Sequence, residues 1–310
     1  MSVLVLVEPG EELSLQAVSL ARDLGGPLHA MTVADPGTEL GAYGVETVHV
    51  AQDDRLSAYA PAAWAACLDR LIEQIQPSAV VAAGTNRGNE VLGHLAARRD
   101  VPFAANCIGV GGDGTVTRVR WGGSLLEEAR IHGDLLVLSV APHMVEATTV
   151  NGGVATVEHL EVEVEDRDLV VRVVEHAETP SAGISLAEAK VVVSGGRGVG
   201  SADGFGMLEE LAGLLNAAVG CSRVVTMAGW RPHTDQVGQT GTKVAPDLYI
   251  ACGISGATQH IAGCKGAKKI LAINSDAEAP ILASADYAVI GDLAEIVPAI
   301  TAELRKAQSS

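Results

Sequence analysis

Ala189-Lys190-Val191-Val192-Val193 runs straight into Ser194-Gly195-Gly196-Arg197-Gly198-Val199-Gly200-Ser201, and a helical pattern follows from Met207 to Leu215. Consecutive aliphatic residues predict a strand buried on both faces, and the glycines let the chain turn tightly before the helix. A strand, a glycine loop and a helix in that order turn backbone N–H groups toward a phosphate at the loop. The glycines fit no G-x-G-x-x-G pattern and no Gly-Lys-Ser/Thr follows them, so the stretch predicts a βα unit and leaves its ligand open.

Downstream, Leu248-Tyr249-Ile250-Ala251-Cys252 repeats the pattern and opens into Gly253-Ile254-Ser255-Gly256-Ala257-Thr258-Gln259-His260. Ser255 is expected to begin the next helix, where free N–H groups favour an anion, although capping alone explains an isolated Ser-Gly more simply. Asp235-Gln236-Val237-Gly238-Gln239-Thr240-Gly241-Thr242, between the two strands, is polar and glycine-spaced. It reads equally as a hydrogen-bonding rim for a heterocycle and as a surface turn. Cys252, His260 and Cys264 form C-x7-H-x3-C with no fourth ligand nearby, so buried cysteines are expected there and no metal. No Ser-His-Asp or Cys-His arrangement supports a hydrolase.

Upstream, Val3 to Val7, a helical Leu13 to Leu24 and Leu28 to Val33 alternate as in an α/β fold. A helix from Ala58 to Gln76 stops before Pro77, and the buried strand Ala79 to Ala83 ends in a loop, Gly84 to Asn89. Thr85, Asn86 and Arg87 sit where such folds place ligands, yet the residue types fit an ordinary turn better. Val154 to Glu175 alternates apolar and acidic residues, predicting an edge or antiparallel strand whose carboxylates deter edge pairing. His176 to Leu186 is the expected linker, dividing the chain into residues 1–185 and 186–310.

The composition agrees with this plan. A chain of 310 residues exceeds what one core usually holds, and 48% apolar with only 3% aromatic residues points to parallel sheets packed with Ala, Val, Leu and Ile. No run approaches the roughly 18 apolar residues of a membrane helix. The absence of a basic leader and five scattered cysteines make a cytoplasmic protein the expectation. Residues 186–310 carry 10 Lys+Arg against 12 Asp+Glu, so nearly all of the net charge of -17 falls on residues 1–185, which contain no lysine. Such an acidic body excludes nucleic acid and anionic membrane surfaces, and leaves a protein partner or a small ligand.

Ser194 to Gly198, Cys221-Ser222-Arg223, Gln236 to Gly241, Val244 to Ile250, Gly253 to Gly263 and Ala272-Ile273-Asn274 stand in the order found in electron transfer flavoprotein alpha subunits, and over residues 189–300 the chain resembles that family. The first half agrees in length, element order and the Gly84 to Gly88 loop. Two departures are Thr242 before Lys243, where the family has lysine directly after Gln-Thr-Gly, and Cys252, where a smaller residue is common. The resemblance implies two α/β domains, each a mainly parallel sheet flanked by helices. The amino-terminal one would be an acidic, partner-facing domain without cofactor, and the carboxyl-terminal one a doubly wound FAD-binding domain.

It further implies a heterodimer with a beta subunit, commonly AMP-binding, that takes electrons from flavoprotein dehydrogenases such as the acyl-CoA dehydrogenases of fatty acid beta-oxidation. They pass to a membrane quinone oxidoreductase or another acceptor. The implied cofactor residues are Arg197, Ser222, Arg223, Val237, Gly238, Gln239, Thr240, Ser255, Gly256, Ala257, Thr258, Gln259, His260, Asn274, Asp292 and Leu293. Arg223, Thr240 and His260 would tune the flavin, with His260 made an imidazolium by the flavin's negative charge. The alternative is an NAD-dependent enzyme on a related doubly wound domain.

Overall fold

The computed structural model describes residues 2–34, 38–121, 125–150, 153–175 and 184–308. The chain forms two compact units, Met1–Ala177 and Glu178–Ser310. Of the expected linker, residues 176–183 lie outside the described residues, and Leu186 is buried in the second unit's core.

The first unit contains β1 (Val3–Leu6), α1 (Leu13–Arg22), β2 (Leu28–Thr32), β3 (Thr47–Gln52), α2 (Pro61–Ile75), β4 (Ala79–Ala83) and α3 (Asn86–Arg99). It continues with β5 (Phe103–Val110), β6 (Thr115–Arg120), β7 (Leu125–Arg130), β8 (Leu136–Val140) and β9 (Thr156–Glu161). Strand order is β7-β6-β5-β8-β4-β1-β2-β3-β9, parallel except at β5–β6 and β6–β7. Every residue of β1 and β4 is buried, as it must be for strands covered on both sides. Val3 and Val5 pack with α1, whereas Leu4 and Leu6 pack with α2 and α3 through Trp64, Leu68 and Leu92. Pro61 opens α2 without loss, because its missing N–H falls in the unbonded first turn.

One expectation is corrected here and another is narrowed. Residues 86–89 belong to α3, which Thr85 caps by accepting a hydrogen bond from the Gly88 N–H at 2.8 Å, so the candidate loop is a helix start. Of the alternatives for the acidic alternating segment, the edge strand is the one observed, shortened to Thr156–Glu161 and paired parallel with β3. A parallel partner is possible because β9 arrives by a long crossover rather than a hairpin.

The second unit contains β10 (Val191–Gly195), α4 (Phe205–Leu215), β11 (Ala218–Cys221), α5 (Arg223–Met227), β12 (Leu248–Cys252), α6 (Thr258–Cys264), β13 (Ile270–Asn274), β14 (Tyr287–Ile290) and α7 (Leu293–Gln308). Its five strands are parallel in the order β11-β10-β12-β13-β14. Val193, Ile250 and Ile273 face α4 and α7, while Val192, Tyr249 and Ala272 share the opposite core with Cys264 of α6 and Val237. The sheet is doubly wound. Among the described residues no helix is long and apolar enough to cross a membrane.

Candidate functional site

In the second unit the chain builds β11 on one side of β10 and then crosses to build β12 on the other. The strand ends therefore diverge between β10 and β12, which is where open α/β sheets take ligands. Glycines line this crevice. Gly196 donates its N–H to the Cys252 carbonyl at 2.8 Å, and Gly198 donates to Gly253 at 3.0 Å. A Cβ on Gly196 would lie 2.2 Å from the Gly253 oxygen, and one on Gly198 2.7 Å from Gly253 Cα, so side chains are excluded and backbone meets backbone. Beside this contact lies a cavity of about 340 Å³, lined by Arg197, Gly198, Ser222, Val224, Gly253, Ser255, Asn274, Asp276 and Ala279.

Ser222 stands at the start of α5, its N–H bonded to the Gly195 carbonyl at 3.0 Å, and Arg223 follows it, exposed. Ser255 is not the cap expected of it. The residue before α6 is Ala257, and Ser255 is exposed, with its carbonyl accepting from the Ile281 N–H at 3.1 Å. Gly256 at φ +86° lets the backbone pass against Ile281, where a Cβ would meet the Ile281 nitrogen at 2.2 Å. Ser255 is thus held by its backbone on the cavity wall, leaving its hydroxyl exposed.

A second cluster forms where the polar loop packs on α6. The Val237 N–H donates to the Cys221 carbonyl at 2.9 Å, and the Gln239 N–H donates to the Gln259 carbonyl at 2.7 Å. Gly263 has no room for a Cβ against Gly238. The loop is therefore not an ordinary surface turn: Gln236, Val237 and Gly238 are buried, leaving Gln239 and Thr240 exposed. Gln236 escaped the sequence reading. Its amide donates to Thr240 Oγ1 at 3.0 Å and accepts from Thr226 Oγ1 at 2.6 Å, so it sets the Thr240 side chain. A polar residue inside an otherwise ordinary turn sequence carried no signal of this.

His260 lies in the first turn of α6, 6% exposed, with Nε2 2.9 Å from the Tyr249 hydroxyl and Nδ1 enclosed without a hydrogen-bond partner among the described residues. Burial pushes its pKa down to about 4, opposed to a lesser extent by the Val237 backbone. The protein's own contribution therefore runs opposite to the imidazolium expected from the flavin's charge, and holds the ring neutral at pH 7.

The remaining candidates do structural work. Asn274, 8% exposed, donates from Nδ2 to the Ile254 carbonyl at 2.9 Å and accepts from the Asp276 N–H at 3.0 Å, so its amide pins two loops at the cavity. Asp292 accepts from the Ala294 N–H at 2.9 Å and caps α7, and Leu293 is buried in the core. Thr258 and Gln259 are exposed at the start of α6. The structure thus gathers Arg197, Ser222, Ser255 and Asn274 around one cavity, and Val237 to Thr240 with Gln259 and His260 in a loop–helix contact.

The first unit has the larger cavity, about 1310 Å³, but on its walls Asp53, Asp54, Asp69, Glu73, Glu161, Glu163, Glu165 and Asp168 outnumber Arg70 and Arg98 and disfavour a phosphate. At that unit's own strand divergence, between β1 and β4, the Thr85 hydroxyl donates to the Glu8 carboxylate. Arg87 lies over the Tyr59 ring at 4.9 Å.

Residues 185–265 match the model of the electron transfer flavoprotein FAD-binding domain, and residues 3–166 match the electron transfer flavoprotein domain. An electron transfer flavoprotein subunit alpha of Mycobacterium tuberculosis is 40% identical over 98% of this chain and 98% of its own length. The Bacillus subtilis protein of that name is 36% identical over 98% and 97%. A probable mitochondrial one from Caenorhabditis elegans is 35% identical over 98% and 93%. The match to an FAD-binding domain displaces the NAD alternative. The second unit is suited to a dinucleotide: a glycine cradle, an arginine and two serines at the cavity, and a buried imidazole nitrogen still lacking a hydrogen-bond partner among the described residues. The chain belongs to the electron transfer flavoprotein alpha-subunit family, binding FAD and carrying electrons.

Proposed function

We propose that Arg197, Ser222, Ser255 and the neighbouring backbone amides hold the FAD diphosphate, and that Gln239 and Thr240 present hydrogen bonds to the flavin ring. The reading rests on one observation: glycine backbones touch at the divergence of β10 and β12 and leave a cavity edged by a cation and hydroxyls. Val237, Gly238, Gly256, Ala257, Thr258 and Gln259 supply the close backbone around that ligand. Asn274, Asp292 and Leu293 shape its adenosine end through the loops and helix they hold.

Bound FAD supplies the redox chemistry. The chain's part is to place a cation, Arg223, and a polar imidazole, His260, where negative charge grows on electron uptake, which raises the reduction potential.

An alpha subunit implies a beta subunit, and the pair works as a heterodimer. We infer that the acidic first unit, residues 1–185, faces protein partners and takes no cofactor, and that beta carries AMP. The pair would be cytoplasmic, accept electrons from flavoprotein dehydrogenases, including acyl-CoA dehydrogenases of beta-oxidation, and deliver them to a quinone oxidoreductase. Co-expression with a beta subunit, purification and extraction of bound nucleotides tests this. A yellow complex with one FAD is expected, with Arg197→Ala or Ser255→Ala weakening its retention. Full retention in both variants overturns the assignment of the cavity.

A further inference from the structure

Tyr249 sits in β12, a central strand flanked by β10 and β13, and is completely buried. Its hydroxyl is 2.9 Å from His260 Nε2, with the rings 6.1 Å apart at 50°. A buried phenol on a central strand has little freedom, so it offers a fixed partner to a ring on the short helix above it. That leaves Nδ1 of the same imidazole as a buried polar atom with no hydrogen-bond partner among the described residues. An orphan of this kind is costly unless a ligand completes it.

The bond between the two rings can run either way. If the phenol donates to Nε2, the imidazole proton is on Nδ1. If Nε2–H donates to the phenol, Nδ1 is a bare lone pair. Among the described residues the Tyr249 hydroxyl is hydrogen-bonded to His260 Nε2 alone, and the buried Ser194 hydroxyl on the adjacent strand β10 makes no hydrogen bond to it. A phenol that accepted from Nε2–H would leave its own buried proton without an acceptor, so donation to Nε2 is the arrangement that satisfies it. Burial keeps the phenol protonated and the imidazole neutral, so one N–H per ring is the state to be placed.

We propose that Tyr249 is a positioning residue that donates to His260 Nε2, fixing the Nδ1–H tautomer and making Nδ1–H the donor that His260 offers to an acceptor atom of bound FAD. The proposal rests on the reading that puts His260 at the flavin. It makes the tuning element an oriented N–H dipole set from behind by a residue that touches no ligand. The opposite tautomer would turn a lone pair toward any developing negative charge.

The test is nitrogen NMR of the FAD-loaded heterodimer with ¹⁵N-labelled histidine, His260→Ala providing the assignment, together with flavin midpoint potentials. In the unaltered protein His260 is expected to carry its proton on Nδ1, with Nε2 unprotonated. Tyr249→Phe should lower the ratio of Nδ1–H to Nε2–H forms roughly tenfold. It should also lower the midpoint potential in the same direction as His260→Ala, with FAD content unchanged. A proton found on Nε2 in the unaltered protein, or an unchanged ratio in Tyr249→Phe, overturns the proposal. If Tyr249→Phe does not fold, the unaltered protein still decides the tautomer. Should the ratio move while His260→Ala leaves the potential unchanged, the placement of His260 at FAD fails and takes the flavin half of the proposal with it.

Discussion

The two units place equivalent points of similar sheets under opposite treatment. Between β1 and β4 the first unit fills its strand divergence with side chains: Glu8, 4% exposed, takes a hydrogen bond from Thr85 at the start of α3. Between β10 and β12 the second unit removes side chains altogether, and Gly196, Gly198 and Gly253 let two loops touch while Arg197, Ser222 and Ser255 stand around open space. In the first case a carboxylate already occupies the position an anion would take at the helix start, and in the second that position is free. Parallel topology makes a crevice in both, and the residues at the strand ends decide whether it is a plug or a site.

The sharpest way to break this contrast is Gly196→Ala. The added Cβ meets backbone rather than a flexible side chain, so a loss of roughly 3 kcal/mol in denaturant unfolding is expected. FAD retention, read by visible absorbance, should be lost as well. Gly93→Ala in α3, where a Cβ meets nothing within 4 Å, should instead stabilise by up to about 1 kcal/mol. Equal effects would mean that the glycine contact is not what makes the site.

Acid should act next on the second unit through His260. His260 titrates near 6.5 when unfolded and at about 4 when folded, so between those values the unfolded chain holds a proton that the native one refuses. Stability therefore falls as pH drops through that window, by roughly 3 kcal/mol in full. Unfolding midpoints from pH 7 to 4 should show this slope, and His260→Gln should flatten it.

Arg223→Ala comes third. Removing an exposed cation should lower the flavin midpoint potential by tens of millivolts, less at high salt, with Arg223→Lys retaining most of the effect. Unchanged potentiometric midpoints would remove Arg223 from the tuning role.

The smallest effect belongs to the plug. Burial raises the Glu8 carboxyl above its ordinary value, so its contribution to stability is present below 4.5 and is lost as pH rises through the folded value. Glu8→Gln keeps an acceptor for Thr85 and should add about 1 kcal/mol at pH 8 and nothing at pH 4. A variant less stable at pH 8 would show that the charge itself holds the strand ends together.

Much of the fold was legible because its signals are local. The strands at Val3, Ala79, Val191 and Leu248 are apolar runs, and α2 ends where Pro77 forbids continuation. Ser255 misled because a serine after a strand resembles a cap, whereas Gly256 delays the helix to Thr258 by packing on Ile281. Gln236 and Tyr249 gave no warning, since the first looks like a turn residue and the second like core.

By itself the amino-acid sequence determined two α/β units, the acidic character of the first, and the family whose motifs run from Ser194 to Asn274, because periodicity, charge and glycine spacing are properties of neighbours along the chain. Only the tertiary structure decided that Glu8 meets Thr85, that Gln236 holds Thr240 and that Tyr249 reaches His260. Those contacts join residues on separate elements, and a hydrogen bond depends on distances that exist only once the sheets are wound.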